Sequence, residues 1–208
     1  MSDRVRPLTA DDLQHLPADC RACLFWELPS AVRGPRRGHE AEQAEAKHLW
    51  HRSLELDWGP PGAVLRNGDR TVGFATCAPS WQAMRTRRLG STPSEDALIL
   101  LTMWVAPDVR GGGGATMLLH RVLRQAHDLG LRAVEATATR SPHDVPCLLP
   151  EGFLLASGFE VHQPHPTHPL LRLDLRQTAR WQDAMEHALE GVRAVLGRRE
   201  RRPVPSTS

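Results

Sequence analysis

Four consecutive glycines, Gly111, Gly112, Gly113 and Gly114, stand between Arg110 and Ala115-Thr116, directly after the apolar run Ala97–Val105 and the turn Ala106-Pro107-Asp108-Val109. Such a run leaves a row of backbone N–H groups with no side chains in the way. The residues that follow begin an amphipathic helix, so these donors meet the positive end of a helix dipole. A strand–loop–helix corner of this kind cradles an anion and suits a pyrophosphate. Arg110 adds a fixed positive charge at its entrance. The corner is not a P-loop, because no Gly-Lys-Ser/Thr follows, nor a dinucleotide fingerprint, because Thr116 stands where a third glycine is required. A flexible linker would sit in polar surroundings, whereas strand and helix flank this run without a gap.

The longer pattern Val105-x-Pro107-x-x-Arg110-x-x-Gly113-x-Ala115 resembles the GNAT superfamily of acetyl-CoA-dependent N-acetyltransferases, whose signature is Arg/Gln-x-x-Gly-x-Gly/Ala. Residues 153–159, F-L-L-A-S-G-F, are similar to the family's closing F-Y-x-x-x-G-F, with Leu154 in place of tyrosine. The Cys20-x-x-Cys23…Phe25-Trp26-Glu27 block and the C-L-L-P of residues 147–150 are similar to a branch of that superfamily in GC-rich bacteria. The resemblance covers roughly residues 4–175. It implies acetyl-CoA as co-substrate, held by Arg110, Gly111, Gly112, Gly113, Gly114, Ala115 and Thr116 at its pyrophosphate. The pantetheine arm would pair with the main chain of Met103 and Val105, where the fourth strand splays from the fifth, much as an added strand pairs with a free sheet edge. A free N–H there would also stabilise the oxyanion of the tetrahedral intermediate.

An amine acceptor must lose a proton before it attacks, and relatives often keep a carboxylate on the fourth strand for this. Between Ala97 and Val105 the only polar side chain is Thr102. The candidate bases are therefore Glu27, behind Phe25 and Trp26, Asp96 at the strand's entrance (with Glu95 beside it), and Glu135 on the next strand. Glu27 ranks first, since aromatic shielding is expected to raise a carboxyl's pKa. Leu154 leaves no tyrosine to protonate the departing thiolate. Ser141, His143, Cys147 or solvent remain, and a thiol of pKa ~8.5 departs tolerably unaided.

Metal readings compete with these. Cys20-x-x-Cys23 is half of a zinc site, but no second Cys-x-x-Cys completes it, and a reduced, metal-free pair is expected. His162, His165 and His168 lie in a proline-fixed stretch and are read as acceptor contacts or surface residues. No metal is assigned.

Hydrophobic periodicity supplies the elements that must position these groups. It predicts a strand over residues 4–9 and a helix over 10–16 capped by Thr9 with Asp12. A short element of open type follows over 19–27. A long helix is expected over 40–58, its apolar side formed by Ala46, Leu49, Trp50, Leu54 and Leu56. A hairpin runs over 63–66 and 71–78 across Asn67-Gly68-Asp69, and 81–95 is irregular and basic. The wholly apolar Ala97–Val105 reads as a central strand. A helix over 115–129 buries Leu119, Val122, Ala126 and Leu129 and is closed by Gly130. A strand over 132–139, a short helix over 150–157 and a last strand over 170–175 complete an α/β order with mixed strand directions. The resemblance implies the matching fold: a mixed, mostly antiparallel sheet splayed between strands 4 and 5 and flanked by helices. An added amphipathic helix over 178–197 packs on the domain or forms a homodimer face, and 198–208 reads as a disordered basic tail. The catalytic domain is then 1–177.

Composition narrows the partners. The chain has 208 residues, 40% of them hydrophobic, and a net charge of +2, which indicates no commitment to nucleic acid or membrane. No apolar stretch spans a bilayer and no signal peptide is visible, so a cytoplasmic location is expected. Arginine supplies all 26 basic residues except Lys47, Ile99 and Asn67 are the sole residues of their types, and tyrosine is absent. This is the codon bias of a GC-rich bacterial genome rather than a message about function. The resulting reading is an N-acetyltransferase acting on a small-molecule or peptide amine by direct attack in a ternary complex. A non-catalytic acyl-CoA-binding or sensing module, or an interaction protein, is the alternative.

Overall fold

A computed structural model describes residues 3–28, 38–141 and 147–175. The expected helix over 178–197 and the tail beyond it lie outside the described residues. Eight strands form one sheet: β1 (Asp3–Pro7), β2 (Gly62–Asn67), β3 (Arg70–Pro79), β4 (Ala97–Val105), β5 (Ala133–Thr139), β6 (Leu149–Pro150), β7 (Glu160–Gln163) and β8 (Leu170–Asp174). Their order is β1-β2-β3-β4-β5-β8-β7, with β6 attached to β5. All pairs are antiparallel except β4 with β5 and β5 with β6. The expected hairpin turn is present, with Gly68 at φ +58 where a side chain is disfavoured.

The sheet opens in its middle. β4 pairs with β5 only from Ala97↔Ala133 to Leu100↔Ala136, although both strands run further. At the same level the β3–β4 register shifts: Thr76 faces Thr102 but Cys77 faces Leu100, so Leu101 is an extra residue. Such a bulge bends and twists its strand, which here carries the C-terminal half of β4 away from β5. It also reverses the facing of side chains. Ile99 and Leu101 pack with Phe25 and Trp26, whereas Val105 and Met103 pack on the opposite side.

That opposite side is covered by α4 (Gly114–Asp128), which buries Leu118, Leu119, Val122, Leu123 and Ala126. Leu129, expected in this stripe, is exposed beyond the helix end, and Gly130 closes the helix at φ +71. The first face is covered by α1 (Ala18–Arg21), α2 (Glu40–Asp57) and α3 (Met84–Arg88), the last inside the stretch expected to be irregular. Residues 10–15 form a 3-10 helix rather than an α-helix, and the Asp12 carboxylate accepts from both the Thr9 amide (2.9 Å) and hydroxyl (3.0 Å). The expected apolar side of α2 is corrected. Leu49 and Leu56 point to solvent, and the buried positions are Lys47, His51 and Leu54. Leu54 is buried and Trp50 packs against the core as expected, while Lys47 and His51 fill the rest of the inward side, so the periodicity was right in part. α5 (Glu151–Ala156) ends at Gly158, at φ +90.

Candidate active site

The split exposes main-chain groups of β4. The Ala106 amide donates to the Val72 carbonyl of β3 at 2.9 Å, so alternate residues before it also face β3. Met103 and Val105 lie between them and turn their N–H and C=O groups towards the opening, beyond the last β5 pair. The Val105 carbonyl is engaged there by Arg110 Nε at 3.0 Å. This contact folds the Arg110 side chain back against the strand end.

The glycine corner continues directly from these groups. Gly111 and Gly113 take φ +77 and +83, left-handed backbone that suits glycine. Gly114 opens α4 pressed against Leu65, where an added Cβ would lie 2.9 Å from Leu65 Cδ2. The Met117 amide is taken by the Gly113 carbonyl at 3.0 Å. Among the described residues, the amides of Gly111 to Thr116 have no main-chain acceptor, so they stay available at the helix start. A cavity of about 760 Å³ joins the two features and is lined by Met103 and Val105 of β4, Arg110, Gly113 and Thr116 of the corner, and Leu149, Pro150 and Phe153. Eight of the nine residues expected to hold acetyl-CoA line it; Gly112 does not. Leu154, at the place of the family's tyrosine, is fully buried in the core, and its neighbour Phe153 lines the cavity instead.

The three candidate carboxylates are not gathered at the split. Glu27 is buried, and its Oε1 accepts from Lys47 Nζ at 2.5 Å and lies 3.1 Å from His51 Nε2. Burial alone would raise its pKa, but the Lys47 charge and the His51 hydrogen bond outweigh burial and pull it down to about 2. The expected upward shift from aromatic shielding is thereby corrected. Burial lowers the His51 pKa, against the opposing pull of Glu27. Lys47 donates further to the Cys23 carbonyl at 2.9 Å, which ties both ends of the turn carrying Phe25 and Trp26.

Asp96 and Glu135 share one arginine. Arg172 donates to both Asp96 oxygens, at 3.0 and 3.1 Å, and to Glu135 Oε1 at 2.9 Å. The Ser94 amide donates to Glu135 Oε2 at 2.9 Å, and His162 Nε2 lies 3.8 Å from Oε1. The Arg172 hydrogen bonds hold the Asp96 carboxyl below its ordinary range. Asp96 precedes Met103 by seven positions, roughly 23 Å along the strand at ~3.3 Å per residue. Glu135 pairs beside Ile99, four positions before Met103 and roughly 13 Å away by the same rise.

Sequence reasoning missed the contacts that cover the split on the first face. Thr137, the first β5 residue beyond the β4 pairing, donates from Oγ1 to Thr86 Oγ1 of α3 at 3.3 Å. Arg85 of α3 donates to the carbonyls of Phe25 (2.7 Å) and Leu28 (3.1 Å), with its guanidinium 4.5 Å from the Phe25 ring centre. Trp26 Nε1 donates to the Cys147 carbonyl at 3.2 Å, and Cys23 Sγ lies 3.5 Å from Cys147 Sγ. Only spatial proximity across the fold unites these residues, so no local pattern announced them. The His165 and His168 rings stack 6.0 Å apart, and His165 Nδ1 accepts the His168 amide at 3.0 Å. Among the described residues no group of three histidine, cysteine or acidic side chains is placed to hold a metal, and no helix is long and apolar enough to cross a membrane.

Comparison with known proteins agrees with this geometry. The model of the acetyltransferase (GNAT) family matches residues 23–146, more than half of the chain. No curated protein matches in sequence. Among solved structures, an N-acetyltransferase from Staphylococcus aureus Mu50 is similar at TM-score 0.58 and 16% identity, over 84% of this chain and 99% of that one. The yncA protein of Salmonella typhimurium, with its cofactor acetyl-CoA, is similar at TM-score 0.56 and 15% identity, over 84% and 95%. The PaiA N-acetyltransferase of Thermoplasma acidophilum, in complex with coenzyme A, is similar at TM-score 0.53 and 13% identity, over 84% and 99%. At these identities the structures establish a shared fold.

Proposed function

The chain belongs to the acetyltransferase (GNAT) family, and on that premise we propose that it transfers the acetyl group of acetyl-CoA to a primary amine by direct attack in a ternary complex. The observation that carries this reading is the continuity of one cavity from the β4 main chain at Met103 and Val105, left unpaired by β5, to the unoccupied amides of the glycine corner. A pyrophosphate fits the corner by hydrogen bonding to the amides of Gly111, Gly113, Gly114, Ala115 and Thr116, with Gly111 and Gly113 holding the left-handed turns that present them. Arg110, fixed through Val105, adds charge on the same side. A pantetheine arm in the split would hydrogen-bond to Met103 and Val105 as a short added strand. This places the thioester near the bulge, where a β4 amide can stabilise the oxyanion.

Glu27, Asp96 and Glu135 take structural roles in this reading, because each is already committed to a buried or bidentate ion pair. The acceptor is a small molecule or a peptide amine reaching the first face of the sheet. The catalytic domain ends near residue 177, and a bacterial cytoplasm supplies both acetyl-CoA and reduced thiols. Incubation with acetyl-CoA and a panel of amines, read by release of free CoA thiol, tests the proposal. The panel holds a peptide with a free N-terminus, an N-blocked lysine peptide, phenethylamine and a polyamine. Amine-dependent thiol release is expected. CoA binding with no release for any amine favours the acyl-CoA-sensing alternative.

A further inference from the structure

Resting on the acetyl-transfer reading, we propose that Thr102 is a catalytic residue, whose hydroxyl accepts a hydrogen bond from the attacking amine. Four observations converge on it. Thr102 immediately follows Leu101, the extra residue at which β4 parts from β5. It lies on the face opposite Met103 and Val105, alongside Trp104, which stacks on Phe74. Of the threonines on that face, Thr76, Thr137 and Thr86 are fully buried, whereas Thr102 keeps partial access to solvent. It is also the only polar side chain of β4. A thioester held along Met103 and Val105 would therefore have Thr102 as the partly accessible strand hydroxyl on the adjoining face, the face proposed for the acceptor.

Among the described residues, the ionisable groups nearest on the surrounding elements have partners of their own. Glu135 of β5 is held by Arg172 and the Ser94 amide, Glu27 by Lys47 and His51, and Arg85 by two carbonyls. The Cys23 and Cys147 thiols face each other. A hydroxyl does not ionise near neutrality, so its work is orientation rather than proton abstraction. The ammonium first gives one proton to water. The neutral nitrogen then donates to Thr102 Oγ1 and forms a bond to the thioester carbon. The carbon–sulfur bond breaks, and the second nitrogen proton leaves with the thiolate as CoA thiol. Amide, thiol and one released proton balance the ammonium and acetyl-CoA consumed.

The test uses whichever panel amine turns over, with initial rates for Thr102→Val and Thr102→Ser. Valine keeps the β-branched shape and removes the oxygen. It should lower kcat/KM roughly ten- to a hundredfold, the scale of one hydrogen bond formed to a reacting group. Calorimetric CoA affinity should stay unchanged, which certifies the fold, and serine should restore most of the rate. The pH profile of kcat/KM should rise tenfold per unit up to the amine's own pKa, about 7.7–8.0 for a peptide N-terminus and about 10.4 for a lysine. Normal turnover by Thr102→Val, or a plateau at the same pH for amines of different basicity, overturns the role. Absence of turnover by the parent protein with every amine overturns the acetyl-transfer reading and this assignment with it.

Discussion

Replacing Lys47 with methionine probes the buried cluster that anchors the cover of the site. In the parent protein Glu27 is pulled from 4.5 to about 2. This difference corresponds to roughly 3 kcal/mol at 1.36 kcal/mol per pH unit. The folded-state pKa is the lower one, so this stability is fully present above about pH 4.5 and is lost as pH falls towards about 2. Methionine removes the cation and the bond to the Cys23 carbonyl, leaving a buried carboxylate whose one remaining side-chain partner is His51. The expected cost at pH 7 is about 3–5 kcal/mol, the usual scale for stranding one partner of a buried pair. Burial then raises the Glu27 pKa in the variant, so the deficit should shrink as the solution is acidified. Urea unfolding followed by tryptophan fluorescence at pH 7 and pH 5 measures both effects. The double variant with Glu27→Gln should recover much of the loss, because neither buried charge remains. A cost below about 1 kcal/mol at pH 7, or a cost independent of pH, would refute the reasoning.

Arg110→Glu should weaken CoA binding at least ~10-fold in calorimetry without changing the melting temperature, since one charge reversal at a phosphate costs more than ~1.4 kcal/mol. Equal affinity would remove Arg110 from the cradle. Gly113→Ala places a side chain at φ +83; it should cost about 1–2 kcal/mol in thermal unfolding and weaken CoA binding as the corner relaxes. Arg172→Met strands Glu135, which is fully buried, beside Asp96. It should cost about 3 kcal/mol in urea unfolding while leaving CoA affinity unchanged, and a stable variant that loses CoA would contradict the structural role given to Asp96 and Glu135.

The parts of the fold legible in the sequence are those with a strong local signal. The uninterrupted apolar run gave β4 its bounds, Asn67-Gly68 fixed the hairpin, and the glycine run leads directly into its amphipathic helix. α2 shows why other parts were not legible. Its inward side joins Leu54 and Trp50 to Lys47 and His51, which pair with Glu27 twenty and twenty-four residues earlier, so apolar periodicity found only part of that side. The carboxylates show the same limit. Residue type and spacing identify Glu27, Asp96 and Glu135 as acids near the right strands, but only the fold brings Lys47 and Arg172 against them. The splay was implied by family resemblance, whereas its physical cause, the bulge at Leu101, depends on the β3 register and has no signature in β4 alone.

The central claim is that the split and the glycine corner together bind acetyl-CoA. Calorimetric titration of the full chain with acetyl-CoA tests it most directly. The account predicts saturable binding of one molecule per chain, weakened by Arg110→Glu. No binding heat at millimolar acetyl-CoA, at any temperature tried, would contradict it.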